Sequence, residues 1–125
     1  IKDNYIDNCI IELENSGFKV LCNCIYDKRM QCTIVIKKNL LKRVINNITS
    51  NIVKYADTSM PVTITVTDTS VVIKNLYKIT DNCTESNYMG TSICEELMAQ
   101  MEGTYSRWTD NHEYYEKIVF KSISS

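Results

Sequence analysis

One stretch of the chain, Leu40 to Ala56, most constrains what this sequence can fold into. On a helix of about 3.6 residues per turn, its apolar residues recur at spacings of three, four and seven and form a single stripe. A stripe of this kind packs against a core, so we expect the helix to lie on another layer of structure. The residues of the stripe are Leu41, Val44, Ile45, Ile48, Ile52, Tyr55 and Ala56.

Three polar residues, Asn47, Asn51 and Lys54, follow the edge of that stripe about one turn apart. At about 100° per residue they share one side of the helix, where a side chain is neither sunk in the core nor free in solvent. Two carboxamides and one ammonium group at such an edge suit a polyphosphate that carries a metal ion. The alternative is an ordinary amphipathic helix whose polar residues contact water.

Length and charge limit the classes of protein to which the chain can belong. With 125 residues it is expected to be one domain with a core of its own. Fourteen Lys and Arg against fifteen Asp and Glu leave a net charge of -1, so there is no global basic field for nucleic acid or an anionic membrane. Apolar runs fall far short of the ~20 residues that span a bilayer. Because the chain begins at Ile1 without a methionine, we expect a fragment of a longer protein.

Six cysteines are scattered through periodic apolar segments rather than through a loop-rich scaffold, which favours buried thiols in a reducing cytosol. Cys22 and Cys24 fall on one face of a predicted strand, and Cys32 is expected to lie across from them. A metal or redox site on these three residues is therefore an alternative hypothesis. The single histidine, His112, is interpreted as a surface residue.

The order of predicted elements indicates an α+β fold of two layers, a mixed and mostly antiparallel sheet covered on one face by about three helices. The first two strands are expected to pair as a hairpin, Asn39 to cap the second helix, and Ile93, Leu97, Met98 and Met101 to form the apolar face of the third. The non-periodic stretch from Leu76 to Met89 is interpreted as a functional lid or, alternatively, a surface excursion. Helices are predicted over residues 4–15, 40–56 and 90–101, and strands over 18–24, 31–37, 62–67, 71–73, 105–108 and 113–122.

The residues NNITSNIVKYA, from position 46 to 56, resemble the N box of the GHKL or Bergerat-fold ATPases, whose pattern is roughly N-L-x-x-N-A-x-K-Y. The resemblance implies that Asn51 holds a Mg²⁺ ion bound to the phosphates of ATP and that Lys54 contacts those phosphates. By the same match, Asn47 belongs to the catalytic set and Tyr55 to the nucleotide-binding set. Ile52 replaces the small residue that usually follows the second asparagine.

A second motif resembles the catalytic and ATP-binding domain of sensor histidine kinases. Residues 88–94, YMGTSIC, are similar to the end of its G2 box, which implies that Tyr88, Gly90 and Thr91 lie at the phosphates. Asn75 stands where the G1 box supplies an aspartate to the adenine amino group, and the G1 glycines are missing. Tyr88 replaces the first G2 glycine, and no F-box phenylalanine is present.

Asn47 also bears on which branch of this superfamily the chain resembles. Members that hydrolyse ATP or phosphorylate serine commonly have a glutamate at that place, because water or a hydroxyl must lose a proton to attack. A carboxamide is not a general base, so the nucleophile must bring its own lone pair, as imidazole does. The resemblance thus implies a kinase that transfers the ATP γ-phosphoryl group to a histidine.

The resemblance further implies partners for this segment: a histidine-containing dimerisation domain of the same protein, a response regulator, and a second copy of the parent protein in a homodimer. Neither a nucleic acid nor a direct membrane contact is expected. Because the G1 and G2 boxes are degenerate, a non-catalytic interaction module on the same fold is the alternative hypothesis.

Overall fold

A computed structural model describes residues 5–25, 32–76 and 91–124, which form three helices and seven strands. The predicted α+β class is confirmed. In chain order the elements are α1 (Asp7–Asn15), β1 (Val20–Ile25), β2 (Cys32–Ile34), α2 (Lys38–Tyr55), β3 (Val62–Thr67), β4 (Ser70–Leu76), α3 (Thr91–Gln100), β5 (Thr104–Asp110), β6 (Glu113–Val119) and β7 (Ser122–Ser124).

Five strands form the main sheet, in the order β1-β3-β4-β6-β5. Every second side chain of β3, β4 and β6 is buried, and the apolar ones among them join those of the three helices in one core. The intervening side chains of these strands are half-buried, as expected for a sheet that is covered on one face. The predicted stripe of α2 is confirmed, since all its members except the half-buried Tyr55 are buried.

The predicted hairpin of the first two strands is wrong. β1 pairs in parallel with β3, from Val20 opposite Val62 to Ile25 opposite Thr67. Parallel strands need a crossover connection, and α2 provides it by packing on the sheet between them. β2 instead pairs antiparallel with β7 in a separate two-stranded sheet, so Cys32 does not lie across from Cys22 and Cys24.

The predicted last strand is also divided. β6 ends at Val119, and the Phe120 amide then donates to the Thr69 carbonyl oxygen at 2.8 Å. The Val35 amide donates to the Lys121 carbonyl oxygen at 2.9 Å, which leads the chain into its pairing with β2. The strand therefore changes partners after Val119.

Asn39 is not the cap of α2, because the helix begins one residue earlier, at Lys38. Lys37 occupies the cap position with an extended backbone and no side-chain cap bond. Its amide N–H instead donates to the Met101 thioether sulfur at 3.4 Å. The backbone amide at the start of α2 is therefore satisfied by a sulfur atom just after α3, and not by a local side-chain cap.

The predicted apolar face of α3 needs one correction. Leu97, Met98 and Met101 are buried, but Ile93 is 41% exposed and Cys94 is fully buried in its place. Cys94, Leu97, Met98 and Met101 keep the spacings of three and four that define one helix face. The Cys94 thiol lies 3.9 Å from the Val44 carbonyl oxygen, so the small side chain fits between α3 and α2.

Gly103 allows the turn after α3 to approach β6 closely. A Cβ atom at this position would lie 2.4 Å from the Val119 carbonyl oxygen and 2.9 Å from the Met98 Cε atom. We expect Gly103→Ala to lower the free energy of unfolding by about 2 kcal/mol, because backbone and core must both shift. Denaturant unfolding measures this effect, with the exposed Ser106→Ala as control. Equal stability of the two variants would contradict it.

Candidate functional site

The C-terminal end of α2 and the C-terminal end of β4 meet at one end of the sheet. The Asp57 amide, just after α2, donates to the Leu76 carbonyl oxygen at 3.1 Å. Since the start of α2 contacts Met101 and its middle contacts Cys94, α2 and α3 run antiparallel. The first turn of α3 therefore lies beside the middle of α2, and α3 begins on the side toward the C-terminal end of α2.

Asn47, Asn51 and Lys54 differ in burial along the C-terminal half of α2. Asn47 is half-buried, Asn51 is only 7% exposed, and Lys54 is exposed. Asn51 Nδ2 is buried without a hydrogen-bond partner among the described residues. A half-turn of the carboxamide exchanges this donor for the acceptor Oδ1. Asn51 therefore has a buried hydrogen-bonding atom that its described neighbours do not satisfy.

Asn75, near the end of β4, is the second buried carboxamide and is 3% exposed. Its Nδ2 donates to the Leu76 carbonyl oxygen at 3.3 Å. Its Oδ1 is buried and has no partner within the described part of the chain. Because Nδ2 is engaged, Asn75 presents an acceptor to this end of the core.

The other predicted site residues are only partly covered by the structure. Tyr55 is half-buried in the last turn of α2, and Thr91 is the first residue of α3. Tyr88 and Gly90 lie outside the described residues, as does the predicted lid except for Leu76, which is instead the last residue of β4. The first amides of any α-helix have no partner within the helix and lie at the positive end of its dipole, so the start of α3 is a place that favours an anion.

A buried polar cluster, which was not predicted from the sequence, surrounds Glu116 on β6. Glu116 is 1% exposed, and its Oε2 accepts a hydrogen bond from Tyr105 Oη at 2.6 Å. Burial raises the pKa of Glu116 to about 7, and the Tyr105 hydrogen bond and the Arg107 charge act against that rise. Burial and the nearby Glu116 raise the pKa of Tyr114 to about 12. Glu116 occupies an apolar alternation with Tyr114, Ile118 and Phe120, and this pattern is the signal that would have identified it.

A surface cavity of about 240 Å³ opens beside this cluster. Its lining residues are Arg107, Trp108, Thr109 and Tyr114. Tyr114 is opposite Asn75 on β4 and opposite Thr109 on β5, so the three residues form one row across the sheet. The cavity therefore lies at the same end of the sheet as Asn75.

The described residues give no support to the alternative of a metal or redox site built on cysteines. Cys9 and Cys94 are buried, Cys22 is half-buried and Cys24 is exposed. Over residues 5–25, 32–76 and 91–124, no three side chains of His, Cys, Asp or Glu gather as a metal site would require. His112 is exposed in the turn between β5 and β6, as predicted for a surface residue. Among the described helices, none combines the length and the apolar character that crossing a bilayer requires.

Comparison with known proteins gives one curated relative with clear sequence similarity. The chain is 34% identical over 84 residues to the sensor histidine kinase YrkQ of Bacillus subtilis (strain 168). The match covers 64% of this chain and 19% of the relative, so this chain corresponds to about a fifth of that protein's length. No protein-family model matches the chain.

Solved structures give a broader match in fold. The cytoplasmic segment of histidine kinase QseC superposes with a TM-score of 0.72 at 10% identity, over 97% of this chain and 75% of that one. The catalytic domain of histidine kinase ThkA gives 0.68 at 13%, over 98% and 92%. The mycobacterial sensor histidine kinase MprB gives 0.67 at 12%, over 97% and 94%.

These matches agree with the two motifs that resembled the N box and the G2 box. The solved structures share the order and packing of the elements, and the curated relative shares sequence over most of the chain. The predicted resemblance is thereby confirmed: the chain has the fold of the catalytic domains of sensor histidine kinases and is similar in sequence to part of one sensor histidine kinase.

Proposed function

We propose that this domain binds ATP with Mg²⁺ and transfers the γ-phosphoryl group to a histidine on a separate dimerisation domain of the same protein. The observation that carries the proposal is the pair of buried carboxamides, Asn51 and Asn75. Each has a polar amide atom without a partner among the described residues, and α2 and β4 bring both to one end of the sheet. Buried polar groups are nearly always paired, so two such atoms at one end indicate a ligand.

The residues present fit a nucleotide with its metal. Asn51 would hold Mg²⁺ through its carboxamide oxygen, a hard ligand of the kind this ion prefers. Lys54, exposed one turn further on, would reach the phosphates, with Asn47 and Tyr55 beside them on α2. When bound, Mg²⁺ would neutralise charge on the transferring phosphoryl group.

The base and the phosphates would be held by different elements. Asn75 Oδ1 would accept a hydrogen bond from the adenine amino group, as a neutral substitute for the aspartate of the G1 box. The start of α3, with Thr91 and with Gly90 and Tyr88 just before it, would face the phosphates. Arg107 at the neighbouring cavity adds a positive charge to the same end of the sheet.

Asn47 supports histidine as the phosphoryl acceptor. Phosphoryl transfer depends mainly on positioning and on charge stabilisation, so an imidazole with its own lone pair needs no base from this domain. The partners that follow are the dimerisation domain, a response regulator and a second copy of the parent protein. The cytoplasm, where ATP is available, is the corresponding compartment, and the QseC match is itself a cytoplasmic segment.

Titration calorimetry with ATP and Mg²⁺ tests the proposal. We expect the parent domain to bind and Asn51→Ala to weaken binding about a hundredfold, because the metal loses a protein ligand. Chelation of Mg²⁺ should reproduce this loss in the parent. Asn46→Ala is the matched control, an exposed asparagine on the same helix, and should bind like the parent.

Absence of binding by the parent at millimolar nucleotide, or equal binding by Asn51→Ala, would contradict the proposal. The loss of the aspartate charge at Asn75 favours a second candidate, a non-catalytic module on the same fold. That candidate predicts that the parent protein acquires no phosphohistidine when it is incubated with ATP, although the dimerisation domain still docks.

A further inference from the structure

Glu116 is a diagonal neighbour of Asn75 on the face of the sheet that the helices cover. Asn75 on β4 is opposite Tyr114 on β6, and Ile73 is opposite Glu116. Residues at such diagonal positions of an antiparallel pair lie about 7–8 Å apart and project to the same side. The two polar side chains therefore project from neighbouring positions on one face of the sheet, Asn75 near the end of β4 and Glu116 near the middle of β6.

Glu116 also has a polar atom that its described neighbours do not use. Its Oε2 accepts from Tyr105 Oη, whereas its Oε1 is buried without a partner among residues 5–25, 32–76 and 91–124. Asn75 Oδ1 is in the same condition. Two unused oxygens on neighbouring strands, both in side chains that are at most 3% exposed, indicate that a ligand completes their hydrogen bonds.

The hydrogen bond from Tyr105 decides where Glu116 carries a proton. Since Oε2 already accepts from the Tyr105 hydroxyl, a proton on the carboxyl group belongs on Oε1, which then becomes a donor. The charged and titratable groups that act on Glu116 or respond to it are Tyr105 and Arg107 on β5, Tyr114 on β6, Cys94 on α3 and Cys9 on α1. Only Arg107 among these brings a positive charge.

We propose that Asn75 and protonated Glu116 together recognise the base of the nucleotide through hydrogen bonds. When Glu116 ionises, its Oε1 changes from a donor to an acceptor, while Asn75 Oδ1 stays an acceptor. This inference rests on the proposed function. Asn75 Oδ1 as acceptor and Glu116 Oε1–H as donor match the Watson–Crick edge of adenine, whose amino group donates and whose ring nitrogen accepts. When Glu116 is ionised, Asn75 Oδ1 and Glu116 Oε1 are both acceptors. Two acceptors match the adjacent N–H groups of guanine instead.

The pH at which this change occurs lies in the physiological range. Burial raises the pKa of Glu116 to about 7, so the carboxyl group is mostly protonated at pH 6 and mostly ionised at pH 8. ATP affinity should therefore fall about tenfold between these pH values, in proportion to the protonated fraction. The ratio of ATP to GTP affinity should fall with it.

Binding of ATP–Mg²⁺ and GTP–Mg²⁺, measured by calorimetry at pH 6, 7 and 8, tests the inference. Glu116→Gln should bind ATP equally at all three pH values, because its amide can donate at the position of Oε1 while its oxygen accepts from Tyr105. Glu113→Gln is the matched control, a carboxylate on the other face of the same strand, and should follow the parent. Titration of the nucleotide itself affects all of these proteins alike.

A second variant protects the test against a folding defect. Tyr105→Phe removes the hydrogen bond that fixes the proton on Oε1 and should weaken ATP binding at pH 6, while thermal unfolding reports whether each variant is folded. If the parent binds ATP with the same affinity at every pH, or if folded Glu116→Gln keeps the parent's pH dependence, the inference is overturned and the proposed function stands. If the parent binds neither nucleotide at any pH, the proposed function itself fails.

Discussion

Glu116→Gln is expected to make the domain about 3 kcal/mol more stable than the parent at pH 8 and only about 1 kcal/mol more stable at pH 5. Burial raises the pKa of Glu116 from 4.5 to about 7, so between these values the folded protein holds a proton that the unfolded chain has lost. A raised pKa of this kind stabilises the fold fully below 4.5. That stabilisation is lost as the pH rises through 7. Glutamine has no charge to bury and keeps an acceptor for Tyr105.

Urea unfolding at half-unit steps from pH 5 to pH 8 measures this difference. The parent should lose stability steadily up to about pH 7 and then level off, whereas Glu116→Gln should lack this component. Glu113→Gln, which leaves Glu116 intact, should keep the slope of the parent. Parallel curves for the parent and Glu116→Gln would show that Glu116 does not ionise in this range, and would remove the basis for pH-dependent base recognition.

The helices and most strands were predictable because their signals are local. The apolar stripe of α2 depends only on spacing within one helix, and six of its seven residues are buried. The alternation in Val62 to Thr67 likewise identified β3. The turn residues and the order of elements then sufficed for an α+β class with a mixed sheet.

Strand partners were less predictable, since pairing is a tertiary property. Adjacent strands often form hairpins, and nothing within residues 18–37 shows that β1 pairs with β3, across α2. Helix faces were uncertain for a related reason. Ile93 is more apolar than Cys94 on most scales, but the close approach of α3 to Val44 requires the smaller side chain.

The sequence points to candidate site residues only where a motif is repeated. Asn51 and Lys54 are candidates from the N-box pattern, and Asn75 from its place after the fourth predicted strand, where the G1 box belongs. Glu116 was not predicted as a site residue because it belongs to no motif of the family. It also stands in an alternating pattern that the neighbouring Ile118 and Phe120 make look like an ordinary apolar strand face. A carboxylate at a core position of a strand is rare unless it is paired, and that rarity is a usable signal.

Asn51→Leu is expected to stabilise the domain by about 1–2 kcal/mol and to weaken ATP–Mg²⁺ binding about a hundredfold or more. A buried donor without a partner costs about 1–3 kcal/mol, and leucine has a similar volume without a polar atom. Helix propensity adds a few tenths of a kcal/mol, which Asn46→Leu, on the exposed side of α2, measures separately. Denaturant unfolding and calorimetry on the three proteins give both quantities.

The combination of the two effects distinguishes a binding residue from a structural one. If Asn51 served the fold, its replacement would destabilise the protein and leave nucleotide binding nearly intact, and that result would contradict the proposed role. A site that waits for a ligand instead keeps polar groups unpaired in the free protein, so removing such a group raises stability while it abolishes binding. Asn75 Oδ1 and Glu116 Oε1 are also buried without a partner among the described residues. If the proposed function holds, we therefore expect ATP–Mg²⁺ to stabilise the last turns of α2, the end of β4 and the N-terminal half of β6 together.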